Sequence, residues 1–369
     1  MPIRVLVVDD SPFMRKSLQK MLEGAPDIQV VGTARDGMDA LEKVEELDPD
    51  LVTLDIEMPR MDGLTALKKI MATSPRPVLM VSSLTQEGAQ ATLDALSFGA
   101  LDFIPKESSF ATMSILNIQQ ELQEKIRRLA STPKFKRPQL DRSPRPGAPA
   151  QVLPSPVAPP PPAPKIIPRP GGTELAATPL AELIVLGSST GGPKALQELL
   201  PALPGSLPVP LLIVQHMPST FTKPFADRLN TLCQVTVKEA EHGEPLKAGT
   251  VYIARGGIHM LYRQRGIQAV LEQSMDPTAS IHRPSVDVLF QSVHEQCNKQ
   301  VLAVILTGMG NDGAKGMELL KQKGAHTLAE AEETCVVYGM PRAAAEKGCV
   351  DVVAPLPEIA GHLRRHFKI

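Results

Sequence analysis

Three residues of this 369-residue chain combine side-chain types that together can transfer an acyl group: Ser189, His216 and Asp312. A serine hydroxyl is a weak nucleophile near neutral pH, so it needs a base to take its proton and a carboxylate to orient that base. Ser189 lies in Gly187-Ser188-Ser189-Thr190-Gly191-Gly192, between the apolar run Leu183-Ile184-Val185-Leu186 and a helix-forming stretch from Pro193. That pattern predicts strand, tight turn and helix, with the hydroxyl raised by small flanking residues and helix N–H groups directed at whatever binds there. His216 ends the apolar run Leu211–Gln215, and Asp312 follows Val301–Leu306 through a glycine-rich turn. Each candidate therefore stands just past the carboxyl end of a buried-type strand, the edge where open parallel sheets bind ligands. An isolated G-x-S-x-G is as often a plain turn; the company of the other two strand ends favours a triad.

A second constellation precedes it. Asp9 and Asp10 follow the first apolar run, and Asp55 follows the third. Three carboxylates at one edge repel each other, and a hard divalent cation with oxygen ligands, Mg²⁺, is the usual remedy. Ser82 closes the fourth strand and Lys106 follows the fifth, which a merely solvated acidic rim does not explain.

The elements that must carry these groups alternate. Up to about residue 110, short apolar strands separate amphipathic helices, which specifies a doubly wound parallel α/β unit. Residues 114–131 read as its last helix. Fifteen prolines then fall within residues 132–179, including Pro159-Pro160-Pro161-Pro162, so no core forms there and an extended spacer is expected. Its Lys134, Lys136, Arg137, Arg142 and Arg145 lack interleaved aromatics and indicate solvation, not nucleic-acid binding. Strand–helix alternation resumes over 180–369. The expected divisions are 1–131, 132–179 and 180–369, with two doubly wound parallel-sheet domains, one flavodoxin-like and one Rossmann-like with three layers.

Formal charge is −1, which gives no general attraction to nucleic acid or anionic membrane. Cys233, Cys297, Cys335 and Cys349 are scattered without a C-x-x-C pair, as in a reduced cytoplasmic protein. There is neither a leader pattern nor an apolar run of spanning length, so no direct membrane insertion is expected. Two motifs imitate phosphate cradles. Gly308-x-Gly310-x-x-Gly313 with Glu330 matches a dinucleotide fingerprint, but Asp312 would compete with a pyrophosphate for the helix dipole. Gly187-x4-Gly192 carries Pro193 where a P-loop needs lysine. His259 and His282 fall in loop-like stretches that could line a groove, and Asp287 is as good a helix-start residue as a triad member.

The stretches Val7–Ser11, Leu54–Gly63, Val81-Ser82-Ser83 and Asp102–Lys106 resemble the receiver domain of two-component signalling. The resemblance implies that Asp55 accepts a phosphoryl group from a histidine kinase. It also implies that Asp10, Asp55 and the Glu57 carbonyl hold Mg²⁺ with Asp9 acting through water, that Lys106 neutralises the phosphoryl charge, and that Ser82 and Phe103 report the change. Glu107 departs from the proline usual in that family. Gly187–Gly192, Gln215-His216-Met217, His282–Asp287, Leu306–Gly313 and Tyr338–Arg342 together resemble the chemotaxis protein-glutamate methylesterase (CheB) family, in its own domain order. That resemblance implies Ser189 as nucleophile, His216 as base, Asp312 as orienting carboxylate, and Thr190 with the Met309 amide near the oxyanion. It further implies chemoreceptor substrates, demethylation with glutamine deamidation, no cofactor for the ester chemistry, a cytoplasmic enzyme recruited to receptor arrays, and a receiver that covers the cleft until Asp55 is phosphorylated. The order Ser…His…Asp separates it from the α/β-hydrolases. A receiver-gated dinucleotide oxidoreductase and a catalytically silent docking regulator are the competing classes.

Overall fold

A computed structural model describes residues 1–106, 112–132, 180–278, 280 and 282–369. Glu107 and the proline-rich spacer beyond Thr132 lie outside the described residues. The N-terminal sheet is built from β1 (Ile3–Val8), β2 (Ile28–Ala34), β3 (Leu51–Asp55), β4 (Val78–Ser83) and β5 (Asp102–Lys106), in the order β2-β1-β3-β4-β5 with every pairing parallel. Strands buried on both faces must be apolar throughout, and Val5 to Val8 are wholly buried. Helices α1 (Pro12–Glu23), α2 (Gly37–Leu47), α3 (Gly63–Thr73), α4 (Gln86–Ser97) and α5 (Thr112–Ala130) cover the two faces. Their starts are written locally: the side chains of Ser11, Asp36, Asp62 and Thr85 accept first-turn N–H groups, which fixes where each helix begins.

The second sheet has seven parallel strands in the order β14-β13-β12-β6-β7-β9-β8. In chain order these are β6 (Leu183–Ser188), β7 (Leu211–Gln215), β8 (Thr236–Glu239), β9 (Thr250–Ile253), β12 (Val301–Ile305), β13 (His326–Glu330) and β14 (Val352–Ala354). Helices α6 (Gly192–Leu199), α7 (Ser219–Leu232), α8 (Val286–Gln296), α9 (Ala314–Gln322), α10 (Met340–Glu346) and α11 (Leu356–Phe367) flank it. The winding reverses between β6, which leads to β7 on one side, and β12 on the other. The carboxyl edge at such a reversal is where open sheets take their ligands. Both units are therefore doubly wound and parallel. One addition was not foreseen: β10 (His259–Arg265) and β11 (Gln268–Ser274) form an antiparallel hairpin apart from the main sheet.

The two units touch. Helix α4 packs on α7, where Arg228 forms an ion pair with Asp94 and donates to Ser97 Oγ at 3.0 Å. Ser97 Oγ donates to Gln197 Oε1 at 2.7 Å. Phe103 of β5 stacks on Phe221 of α7 with ring centroids 4.5 Å apart.

Candidate active site

The Ser189 turn is braced from three directions. Gly191 takes φ 79°, a left-handed conformation that glycine adopts without steric cost, and α6 starts at the next residue. Ser189 N donates to Thr307 O at 3.1 Å, and Thr307 Oγ1 donates to Thr190 O at 2.9 Å. Gln215, 2% exposed, donates from Nε2 to the carbonyls of Ser189 and His216, both at 3.0 Å, and accepts from Ser188 Oγ at 2.7 Å. Gln215 thus ties the Ser189 turn to His216, a role its place in the sequence did not announce. The Gly308–Gly310 turn lies directly against the serine: a Cβ at Gly308 would come within 3.0 Å of Ser189 Cβ. Gly308 O accepts the N–H groups of Gly339 at 3.1 Å and Met340 at 2.9 Å, so the Tyr338–Arg342 stretch supports the turn that carries Met309.

His216 and Asp312 meet: Nε2 lies 2.8 Å from Oδ2. The same carboxylate accepts Ser285 Oγ at 2.9 Å, Val286 N at 2.7 Å and Asp287 N at 2.9 Å. Burial alone would raise the Asp312 carboxyl, but the bond and charge of His216 and the two amides outweigh it and hold the group well below the usual carboxylate range. With Nε2–H given to the carboxylate, Nδ1 carries the lone pair. Nδ1 is buried and has no hydrogen-bond partner. The serine hydroxyl does not engage it in this arrangement, as is common before substrate binds.

Two histidines of the loop stretches separate. His259 is fully buried, and its Nδ1 accepts Ser285 N at 3.2 Å, so it braces the Asp312 cradle and lines no groove. His282 stacks on the His216 ring, with centroids 4.2 Å apart and planes 19° apart. Asp287 stands in the first turn of α8 and accepts Gly316 N at 2.6 Å. Glu330 is fully buried, its oxygens accepting Thr307 N at 2.8 Å and Thr334 Oγ1 at 3.0 Å. A ribose would find that carboxylate already occupied, which argues against the dinucleotide reading.

At the N-terminal edge, carboxylate oxygens of Asp9, Asp10 and Asp55 lie within 4.8 Å of one another. Three hard oxygen donors at that spacing fit Mg²⁺. Lys106 Nζ bridges Asp9 at 2.8 Å and Asp55 at 2.7 Å. Burial pushes the Asp55 carboxyl up to about 6 against the pull of Lys106, with Asp9 adding to the rise. Desolvation opposes the Lys106 charge, but its bonds to Asp55 and Asp9 prevail and raise it. Ser82 Oγ, fully buried, donates to Gly88 O at 3.1 Å and accepts Thr92 Oγ1 at 2.6 Å. Among the described residues, no helix is long and apolar enough to cross a membrane.

The two edges define a protein with an acidic, receiver-type site in one α/β unit and a hydrolase-type constellation in the other. The model of the response regulator receiver domain matches residues 5–116, and that of the CheB methylesterase matches residues 184–363. A protein-glutamate methylesterase/protein-glutamine glutaminase of Oleidesulfovibrio alaskensis is 48% identical over 97% of each chain. One from Nitratidesulfovibrio vulgaris is 49% identical, again over 97% of each. The solved CheB methylesterase catalytic domain of Thermotoga maritima is 41% identical over 51% of this chain and 99% of that one, with a TM-score of 0.49. The chain belongs to the protein-glutamate methylesterase/protein-glutamine glutaminase family.

Proposed function

We propose that the chain hydrolyses glutamyl methyl esters on chemoreceptors, and deamidates glutamines there, under control of phosphorylation at Asp55. The observation that carries this reading is the His216–Asp312 pair, with Nδ1 unpartnered and with Gln215 bonded to the carbonyls of both Ser189 and His216. His216 Nδ1 takes the hydroxyl proton as Ser189 Oγ attacks the γ-carbonyl carbon. The imidazolium is stabilised through Nε2–H by Asp312. Thr190 and the Met309 amide border the place where the oxyanion develops, and donors fixed in advance are worth most there. The proton passes to the leaving oxygen and methanol departs. Water, deprotonated by His216, then attacks the acyl-serine, and a free glutamate and Ser189 are restored. A glutamine amide follows the same course and releases ammonia.

The receiver is residues 1–131, the spacer 132–179 and the catalytic domain 180–369. Asp55 accepts the phosphoryl group of a histidine kinase. Asp9, Asp10, Asp55 and the Glu57 carbonyl would hold Mg²⁺, which when bound offsets charge on the phosphoryl oxygens. Lys106 supplies the fixed positive charge at the same place. Phe103 and Ser82 flank this edge, and Phe103 rests on α7, the helix that follows the His216 corner. Phosphorylation would loosen that contact and uncover the cleft. The enzyme works in the cytoplasm, at receptor arrays, and needs no cofactor for the ester step.

Methanol release from methylated receptor membranes, with and without Mg²⁺ and a small phosphodonor, tests both claims. The expected result is release that Ser189→Ala abolishes and that the phosphodonor raises only while Asp55 is present. Turnover that survives Ser189→Ala would overturn the triad. Folded protein with neither release nor serine labelling by an acyl-enzyme probe would favour a silent docking regulator.

A further inference from the structure

His216 is held at one edge. Its Nε2 bonds to Asp312, while Nδ1 is buried and bonded to nothing. A ring pinned by one hydrogen bond can still rotate about it, and a few tenths of an ångström at Nδ1 decide whether the serine proton is within reach. The flat face of the ring meets a different contact, the imidazole of His282 lying nearly parallel at 4.2 Å.

The surroundings of His282 suit this task. His216 lies on one face, Asp312 and the Glu121 carboxylate of α5 act on it from farther off, and Arg283 adjoins it in the chain. His282 is otherwise exposed; partial loss of water first, and the charge of His216 second, lower its imidazole from the ordinary histidine range. Two imidazolium rings 4.2 Å apart repel each other, so a positive charge on His216 drives His282 to its neutral form. It adds no positive charge beside a ring that must itself become cationic. A flat, neutral surface at stacking distance steadies an imidazolium without competing for its proton.

We propose that His282 is a positioning residue for the hydrolysis: by stacking on His216 it fixes the ring plane and aims Nδ1 at the Ser189 hydroxyl. The inference rests on the reading of Ser189, His216 and Asp312 given above and extends it by one residue.

The test uses the full chain with phosphodonor and methylated receptor membranes, comparing His282→Ala, His282→Phe and His282→Gln with Ser189→Ala. His282→Ala is expected to lower kcat by about 10- to 100-fold, with KM within about threefold of the parent. His282→Phe keeps a flat ring and should recover most of kcat; the flexible amide of His282→Gln should not. Imidazole ¹⁵N spectra give a readout apart from turnover, since His216 signals should broaden in the alanine variant and sharpen again in the phenylalanine one. Matched thermal unfolding midpoints exclude loss of fold as the cause. A raised KM at unchanged kcat would make His282 a wall for substrate and overturn the proposal. So would an active glutamine variant beside an inactive phenylalanine variant, which would assign the effect to a ring nitrogen. Activity surviving in Ser189→Ala would instead sink the underlying triad, whatever His282 does.

Discussion

Asp312 is held by four donors: the His216 ring, the Ser285 hydroxyl and the amides of Val286 and Asp287. A carboxylate accepts from all of them, whereas an asparagine must turn its NH₂ towards at least one donor or force His216 into the other tautomer. Asp312→Asn should therefore lower kcat by a factor on the order of 10⁴, with KM little changed, as steady-state kinetics would read. Glu330 supplies a prediction in pH. Burial pushes its carboxyl up to about 7 from an ordinary 4.5, with Glu198 adding to the rise. The folded state then binds more protons than the unfolded one between these values, so stability falls as pH climbs from about 4.5 to 7. Above that window the penalty is about 3 kcal/mol. Glu330→Gln keeps an acceptor for Thr307 N and cannot ionise. It should raise the unfolding midpoint at pH 8 and lose that advantage towards pH 5, which thermal melts across pH would show.

At the scale of elements, α4 and α7 meet through Arg228, Asp94 and Ser97, with Phe103 on Phe221 at one end. Arg228 is mostly covered and Asp94 about one-third exposed, so the pair contributes on the order of 0.2–1 kcal/mol. Arg228→Ala should raise unphosphorylated methylesterase activity by about two- to fivefold, and added salt should have a smaller effect on that variant than on the parent. Methanol release across a salt series would check both. The elements differ in how far the sequence announces them. Apolar strands and capping residues such as Asp36, Asp62 and Thr85 act within a few positions, so the alternation and the strand-end placement of Ser189, His216 and Asp312 could be read directly. The β10–β11 hairpin could not, because its turn around Gly266 carries no strong two-residue signal. The stacking of His282 on His216 and the bracing by Gln215 and His259 join residues distant in the chain, and periodicity holds no record of such pairs.

For the molecule as a whole, the α4–α7 contact joins two units of one polypeptide. Separation and return are therefore unimolecular, and the covalent tether sets a local concentration that dilution does not change. A contact too weak to hold two free proteins together can still keep a joined pair closed for most of the time. Specific activity without phosphodonor should accordingly stay constant across a thousandfold dilution of the enzyme. A separate fragment of residues 1–132 added to residues 180–369 should restrain activity only near millimolar concentration. Covalent continuity also frees the contact, part ion pair and part aromatic stack, from having to hold two free proteins together, so that on the reading proposed above one phosphoryl group would be enough to open it. The set-point of the switch is then a property of each single molecule, indifferent to how much of the protein a cell makes.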